Sequence, residues 1–316
     1  MIRKQRTNRV LMVRPARFGY NAETAANNYF QKADANATAT AEEACAEFDR
    51  YVELLRANGV YVLVIQDTSY PATPDSIFPN NWFSTHITGE LVLYPMYAEN
   101  RRQERKPSAL STVGELDGIT KVINLSGFEK EGLYLEGTGS MVLDRVNRIV
   151  YCCASERSSP DVLNEYCSEL DYTYVFFTAA DRDKRPIYHT NVMMCVAEKY
   201  AVICLESIQE DAMRTNVINS LSNTGHEIIP ITLEQVMHFA GNMLEVESNT
   251  GESLLLMSAE AKRSLNGKQI REIERFSRIL APELKTIETN GGGSARCMVA
   301  ELFLPASLSE DKISNN

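Results

Sequence analysis

Three things are missing from this sequence: any Cys-x-x-Cys pair, any long apolar run and any block of basic residues. Seven cysteines, an odd number without paired spacing, do not describe a disulfide framework. They point to a reducing compartment, so the sequence predicts a cytoplasmic protein. Arg3, Lys4, Arg6 and Arg9 precede only four apolar residues, Val10 to Val13, too few for a signal-peptide core or a membrane span. A net charge of −10 with no basic patch argues against a nucleic-acid partner. The four histidines lack metal-ligand spacing, and no motif for a hydride or phosphoryl carrier occurs, so neither metal nor cofactor is expected. With 44% hydrophobic and 23% charged residues, the composition is that of a soluble globular protein. At 316 residues the chain exceeds the size at which one core stops growing, roughly 250–300 residues, so two domains or a repeated architecture is expected.

The most informative stretch is Thr289-Asn-Gly-Gly-Gly-Ser-Ala-Arg-Cys297. Three glycines leave the backbone free to take positive φ and place no side chain in a ligand's way. They separate two apolar runs, Leu284 to Ile287 and Met298 to Phe303, which read as buried strands. A glycine turn delivering one cysteine to a strand edge is a way to present a nucleophile. A plain glycine hairpin beside a packed thiol fits the same residues.

Along the chain a repeated order emerges. Val10 to Val13 reads as a strand, followed by a polar stretch to about Ala39 that is long for a connection and is either a lid or disordered. Thr40-x-x-Glu43 reads as a capping box opening a helix that Gly59 ends, and Val60 to Ile65 as a strand. A proline-broken loop, Asp75 to Asn81, leads into a hairpin from Trp82 to Tyr94 turning at Gly89, then a helix carrying Arg101, Arg102 and Arg105, and a strand from Val122. Hairpin, helix and strand recur from Met141, from Val192 and from Met243, where the helix is predicted over Gln269 to Leu280. A fifth unit begins at Cys297. The first strands, taken at Phe83, Met141, Met193, Met243 and Met298, lie 58, 52, 50 and 55 residues apart, a period that marks a repeat array. Each unit carries a helix, which excludes all-β propellers. The fold predicted is α/β: five mixed units closing into one ring-shaped catalytic domain over residues 1–316, a five-fold pseudosymmetric α/β propeller whose closure hides every sheet edge. The polar tail after about 305 is expected to fray.

In such a ring the residues just before each hairpin face the axis: Asn80 and Asn81, Glu136, His189 with Asn191, Asn242, and Cys297. A cysteine beside a histidine ionises near neutral pH, and a carboxylate holds the imidazole in one tautomer. Each has a structural alternative, since a lone histidine at a strand start is often a hydrogen-bonded core residue and Glu136 could be a turn carboxylate.

Gly-Gly-Gly-Ser-Ala-Arg-Cys-Met resembles the C-terminal nucleophile motif of arginine deiminases and their relatives. Leu135-Glu-Gly-Thr138 resembles the Glu-Gly segment of that superfamily, His189-Thr-Asn191 its His-x-Asp segment, and Ser155-Glu-Arg157-Ser158 its Ser-x-Arg-Thr arginine. Asp75-Ser-Ile-Phe-Pro-Asn-Asn81 resembles its Asp-x-x-Phe-x-Glu/Arg-Asp loop. The resemblance, to the guanidino-group-modifying superfamily of pentein fold, runs from about Val10 to Phe303 and is strongest to its citrulline-utilisation hydrolases. It implies a covalent mechanism in which Cys297 attacks the planar carbon, His189 serves as acid and then base, and Glu136 orients His189. It further implies that Arg101 or Arg102, with Arg157, holds an α-carboxylate, and that Asp75 holds its loop or faces the substrate amine. The partner is then a small amino acid, and a homo-oligomer is left open. Guanidinium-processing members resemble one another in placing aspartates where this chain has Asn81 and Asn191. Two amides in place of two carboxylates predict a neutral ureido substrate, citrulline, cleaved to ornithine, ammonia and carbon dioxide. The alternatives are deimination of arginine or hydrolysis of methylarginine, amidino transfer, and a catalytically silent binding propeller.

Overall fold

The computed structural model describes residues 3–33 and 36–305. Val10 to Val13 are buried within β1 (Arg9–Arg14), which runs parallel to β2 (Tyr61–Gln66) with Arg9 opposite Tyr61 and Arg14 opposite Gln66. The helix Ala37–Ala57 makes the crossover and buries Ala44, Phe48, Tyr51, Val52 and Leu55 on one face. It starts one turn earlier than the predicted capping box. Asn36 is the N-cap, accepting from the Ala39 N–H, while the Thr40 hydroxyl donates back to the Asn36 carbonyl.

Four units then repeat one topology. β3 (Phe83–Thr85), β4 (Glu90–Leu93) and β5 (Lys121–Asn124) form the first, and β6 (Met141–Asp144), β7 (Ile149–Cys153) and β8 (Thr173–Phe177) the second. β9 (Met194–Val196), β10 (Tyr200–Ile203) and β11 (Glu227–Pro230) form the third, and β12 (Leu244–Glu247), β13 (Ser253–Leu256) and β14 (Arg278–Leu280) the fourth. In each, an antiparallel hairpin is followed by a helical crossover to a third strand parallel to the second. The fifth sheet draws on both chain ends. β15 (Ala300–Glu301) pairs antiparallel with β1, Val10 opposite Glu301, giving the order β15-β1-β2.

Adjacent first strands pack side by side, β15 on β3, β6 on β9 and β9 on β12. The turn leading into β6 packs on the Pro79–Asn81 turn before β3, and the Glu247 N–H donates to the Thr7 carbonyl beside β1. The apolar core lies between the sheets and their crossover helices. Among the described residues no helix is long and apolar enough to cross a membrane.

Two predicted elements are corrected. The helix expected over Gln269 to Leu280 spans only Gly267–Glu274, launched by an Asn266/Gln269 capping box, and Arg278–Leu280 is the parallel partner of β13. Leu284 to Ile287, read as a strand, opens the helix Lys285–Gly291. Leu284 and Ile287 are both buried, a spacing that suits one helical face as well as a short apolar run. The tail expected to fray lies outside the described residues.

Candidate active site

The glycine triad is neither a hairpin nor a loose turn. Gly291 ends the helix Lys285–Gly291, and Gly292 follows at φ 65° as a left-handed cap whose N–H donates to the Glu288 carbonyl. A Cβ at Gly293 would stand 2.7 Å from the Phe78 ring, so the missing side chain is required by packing. The chain then turns once more, the Cys297 N–H donating to the Ser294 carbonyl at 3.0 Å, which leaves the thiol at the approach to β15.

Cys297 is buried, and two amides converge on its sulfur: Asn242 Nδ2 at 3.2 Å and Asn191 Nδ2 at 3.6 Å. Asn242 cannot flip without loss, because its Oδ1 accepts the Arg296 N–H at 3.0 Å and its Nδ2 also donates to the Asn191 carbonyl. Both amides present N–H groups to the sulfur. Asn191 Oδ1 is buried with no hydrogen-bond partner, an unused acceptor beside the nucleophile.

His189 donates from Nε2 to Glu136 Oε2 at 2.8 Å, a tautomer assigned from this network, which leaves Nδ1 as the reactive nitrogen. Glu136 is fully buried; its Oε2 also accepts from Arg157 Nη1 at 3.3 Å, and its Oε1 from the Tyr97 N–H at 3.0 Å. Burial pushes the Glu136 carboxyl up, but Arg157, the His189 hydrogen bond and Arg101 outweigh it and hold the group well below the usual carboxylate range. Burial pushes His189 down to about 4, against the pull of Glu136 and with help from Arg157 and Arg101. The resting pair is thus a carboxylate and a neutral imidazole, the form that accepts a thiol proton.

Gly139 lies against both Asn81 and His189. A Cβ there would lie 2.3 Å from Asn81 Nδ2 and 2.8 Å from His189 Nδ1. Gly139→Ala is therefore expected to displace the imidazole and lower kcat roughly 10²-fold, the order that a displacement of about 1 Å costs. Steady-state kinetics on the folded variant check this, and an unchanged kcat would mean that His189 Nδ1 is not the reactive atom.

Asn81 Oδ1 accepts from Arg101 Nη1 at 2.7 Å and its Nδ2 lies 3.5 Å from the Glu136 carbonyl. Asn80 meets Thr138 across the same turn, its Nδ2 donating to Oγ1 at 3.4 Å, and its Oδ1 is buried without a partner. The two arginines expected to hold an α-carboxylate have protein partners. Arg101 directs its fork at Glu104, Nε and Nη2 donating to the two carboxylate oxygens, with Nη2 also on the Phe78 carbonyl. Arg157 directs its own fork at Asn27 Oδ1, with Nη2 also on the Thr24 carbonyl, and stacks 4.9 Å from the Tyr188 ring centre. Each guanidinium also touches a predicted site residue, Arg101 Nη1 on Asn81 Oδ1 and Arg157 Nη1 on Glu136 Oε2. Asp75 does not extend a charge towards a ligand either. Its Oδ2 accepts from Asn21 at 2.8 Å and Thr24 at 2.9 Å, and burial raises its pKa despite Arg101.

Asn21, Thr24, Asn27 and Asn28 all belong to the polar stretch read as a lid or disordered, and none was assigned a role from sequence. Here the segment is bound to the site: besides Asp75 and Arg157, the Gly291 and Gly292 carbonyls accept from Gln31 and Asn28. Its concentration of amides was the one local signal. Tyr97 and Tyr188, whose hydroxyl donates to the Gly292 carbonyl at 3.1 Å, gave no signal at all. Among the described residues no three His, Cys, Asp or Glu side chains converge as a metal would need.

The site sets one buried thiol under two amides, near a buried His–Glu pair, on an α/β scaffold, and solved structures share that scaffold. The N-terminal domain of ArgZ, covalently bound to a reaction intermediate, is 19% identical, with 94% of this chain and 99% of that chain covered and a TM-score of 0.72. ArgZ is described as an arginine dihydrolase from the ornithine–ammonia cycle in cyanobacteria. Unliganded AgrE is 19% identical at a TM-score of 0.73, covering 96% of this chain but 40% of that longer chain. A dimethylarginine dimethylaminohydrolase adduct is 16% identical at 0.64, with 93% and 99% covered. No curated protein matches the sequence. Residues 14–304 match the family model described as N,N dimethylarginine dimethylhydrolase, eukaryotic. The chain belongs to that family, within the guanidino-group-modifying superfamily, and is a hydrolase of carbon–nitrogen bonds other than peptide bonds.

Proposed function

We propose that the protein hydrolyses the ureido group of citrulline or a close ureido amino acid, giving ornithine, ammonia and carbon dioxide. The observation that carries this reading is the pair of neutral amides on Cys297 Sγ, with Asn191 Oδ1 unpartnered beside it. A ureido group is uncharged and offers N–H donors beside a carbonyl, which asparagine complements on both counts. A guanidinium is a cation needing carboxylates. The nearby Glu136 is already shared by His189, Arg157 and Tyr97, and Asp75 is pushed towards its neutral form. Two buried arginines, Arg101 and Arg157, add repulsion. A buried charge deprived of its partner costs about 3–5 kcal/mol.

Cys297 passes its proton to His189 Nδ1 and attacks the ureido carbon. His189 returns the proton to the departing δ-amine, which releases ornithine and leaves an S-carbamoyl cysteine. Water activated by His189 then breaks the C–S bond, restoring the thiol and freeing carbamic acid, which falls apart to ammonia and carbon dioxide, while Glu136 stabilises the imidazolium. The contacts between successive sheets support a single catalytic unit closed as a five-fold propeller. Seven free thiols support a reducing, cytoplasmic setting. A second reading, hydrolysis of arginine or a methylated arginine, is favoured by the family description and by the arginine-processing ArgZ. The two are separated by kcat/KM for L-citrulline, L-arginine and N,N-dimethylarginine in the wild type and in Asn81→Asp/Asn191→Asp. Citrulline is expected to lead by roughly 10²-fold or more in the wild type, with the double variant shifted towards the cations. A wild type that prefers either cation overturns the ureido reading.

A further inference from the structure

The site residues lie where the first strand of each sheet begins, so the hairpin turns lie at the other end. There the turns after β3 and β6 enclose, with the N-terminal segment, a second pocket of about 200 Å³. Arg3, Lys4, Arg145, Arg148, Tyr172 and Phe303 line it, and among the described residues no Asp or Glu does. Four cations in one small pocket are conspicuous in a chain of net charge −10.

Their counter-charges are thin. Arg145 is buried, and its Nε is 3.5 Å from Glu301 Oε1, but Arg296 holds the other oxygen of that carboxylate at 2.8 Å. One anion therefore serves two guanidinium groups. Arg145 Nη2 is buried without an acceptor, and so is Arg148 Nε, whose nearest carboxylate, Asp171 at 3.7 Å, is 90% exposed. Lys4 reaches Glu247 at 3.3 Å from an exposed position, and Arg3 finds only the Val146 carbonyl at 3.5 Å. The two guanidinium planes are held by aromatic faces, Arg145 4.0 Å from the Phe303 ring centre and Arg148 5.3 Å from that of Tyr172. Stacking of this kind covers the faces and leaves the N–H edges as donors. His86, also in the lining, is pushed well below its usual pKa by burial and by Arg145 and Arg148, so it stays neutral in a positive field.

We propose that this pocket binds a compact, multiply charged oxyanion, either a phosphate group or a small dicarboxylate. Forked N–H edges match planar or tetrahedral oxyanions, and an anion would give Arg145 and Arg148 the acceptors they lack. The volume falls below the roughly 300–1,000 Å³ of pockets for larger ligands and suits a compact anion. The proposal stands apart from the ureido reading, since none of the residues lining this pocket touches Cys297, His189 or Glu136.

The test is calorimetric titration of the full-length protein with sodium phosphate and, separately, sodium malonate, against sodium chloride at matched ionic strength. Saturable binding of one or both is expected, and which one binds identifies the oxyanion. Arg148→Gln, at a partly exposed position, should weaken it at least tenfold without changing the circular-dichroism melt in chloride. Arg145→Lys keeps a cation for Glu301 but loses the fork, and should weaken it as well. Absence of saturable binding for both anions, or wild-type affinity in both variants, overturns the proposal.

Discussion

Cys297→Ser is expected to lower kcat roughly 10³-fold or more while the melting temperature stays within about 3 °C of wild type. Serine keeps the size of the side chain, and Asn242 and Asn191 can still donate to its oxygen. It does not ionise when paired with a neutral imidazole, so the attacking anion is lost although the packing is kept. The other six cysteines cannot substitute. Burial raises Cys153 to about 11, Cys195 to about 12 and Cys204 to about 11, and lifts Cys152 well above its usual value. Cys167 is raised to about 12, and Cys45 is raised by burial in the crossover helix after β1. These thiols behave as small hydrophobes, and only Cys297 has two amide N–H groups on its sulfur. Single-turnover kinetics beside a thermal melt make the test, and near-full activity in the serine variant would remove the covalent mechanism.

Glu136→Gln is expected to cost about 10²–10⁴-fold in kcat, the range of an acid–base contribution, and to lower the melting temperature as well. Sequence alone predicts a loss of activity in an intact fold. The structure adds a penalty, because Arg157 loses the carboxylate that faces it at 3.3 Å inside the protein and becomes a buried cation with only neutral acceptors. The catalytic loss has a separate cause. His189 must carry a proton between thiol and amine, and Glu136 is the group that stabilises the imidazolium. Losing it lowers the proton affinity of His189 further. In the wild type, where His189 is at about 4 rather than the ordinary 6.5, the acid limb of kcat/KM should fall below pH 5 and stay low in the variant. The sign for stability follows from the same shift. Between about pH 6.5 and 4 the unfolded chain takes up a proton that the buried imidazole refuses, so stability falls as pH falls through that window. A wild-type acid limb at pH 6.5 or above would show that His189 is protonated at rest. His189→Ala removes both acid and base, and an S-linked adduct that accumulates on Cys297 would fit its second role.

What the sequence determined by itself was the phase of the repeat. Asn80 and Asn81, Glu136, His189 and Asn191, Asn242 and Cys297 each precede an apolar strand, and alternation is a local property that needs no knowledge of the rest of the chain. Equivalent positions of one topology set Glu136 against His189, and Asn191 and Asn242 against Cys297. The partners of those groups were not legible. Arg157 meets Asn27 across 130 residues and Asp75 meets Asn21 across 54, and nothing in local spacing distinguishes those contacts from a substrate carboxylate or amine. The partner of Arg101 was hidden for the opposite reason: Glu104 lies only three residues on, and only the folded site shows the fork turned to it. Short apolar runs were equally ambiguous. Leu284 to Ile287 became a helix and Ile279 with Leu280 a strand, because the neighbour available to each in three dimensions decided between them: the crossover helix Ala37–Ala57 in the first case, and β13 in the second. The glycine triad carried the site but not its form. Gly292 caps a helix and Gly293 clears the Phe78 ring, since a residue 215 positions earlier in the chain occupies the space a side chain would need.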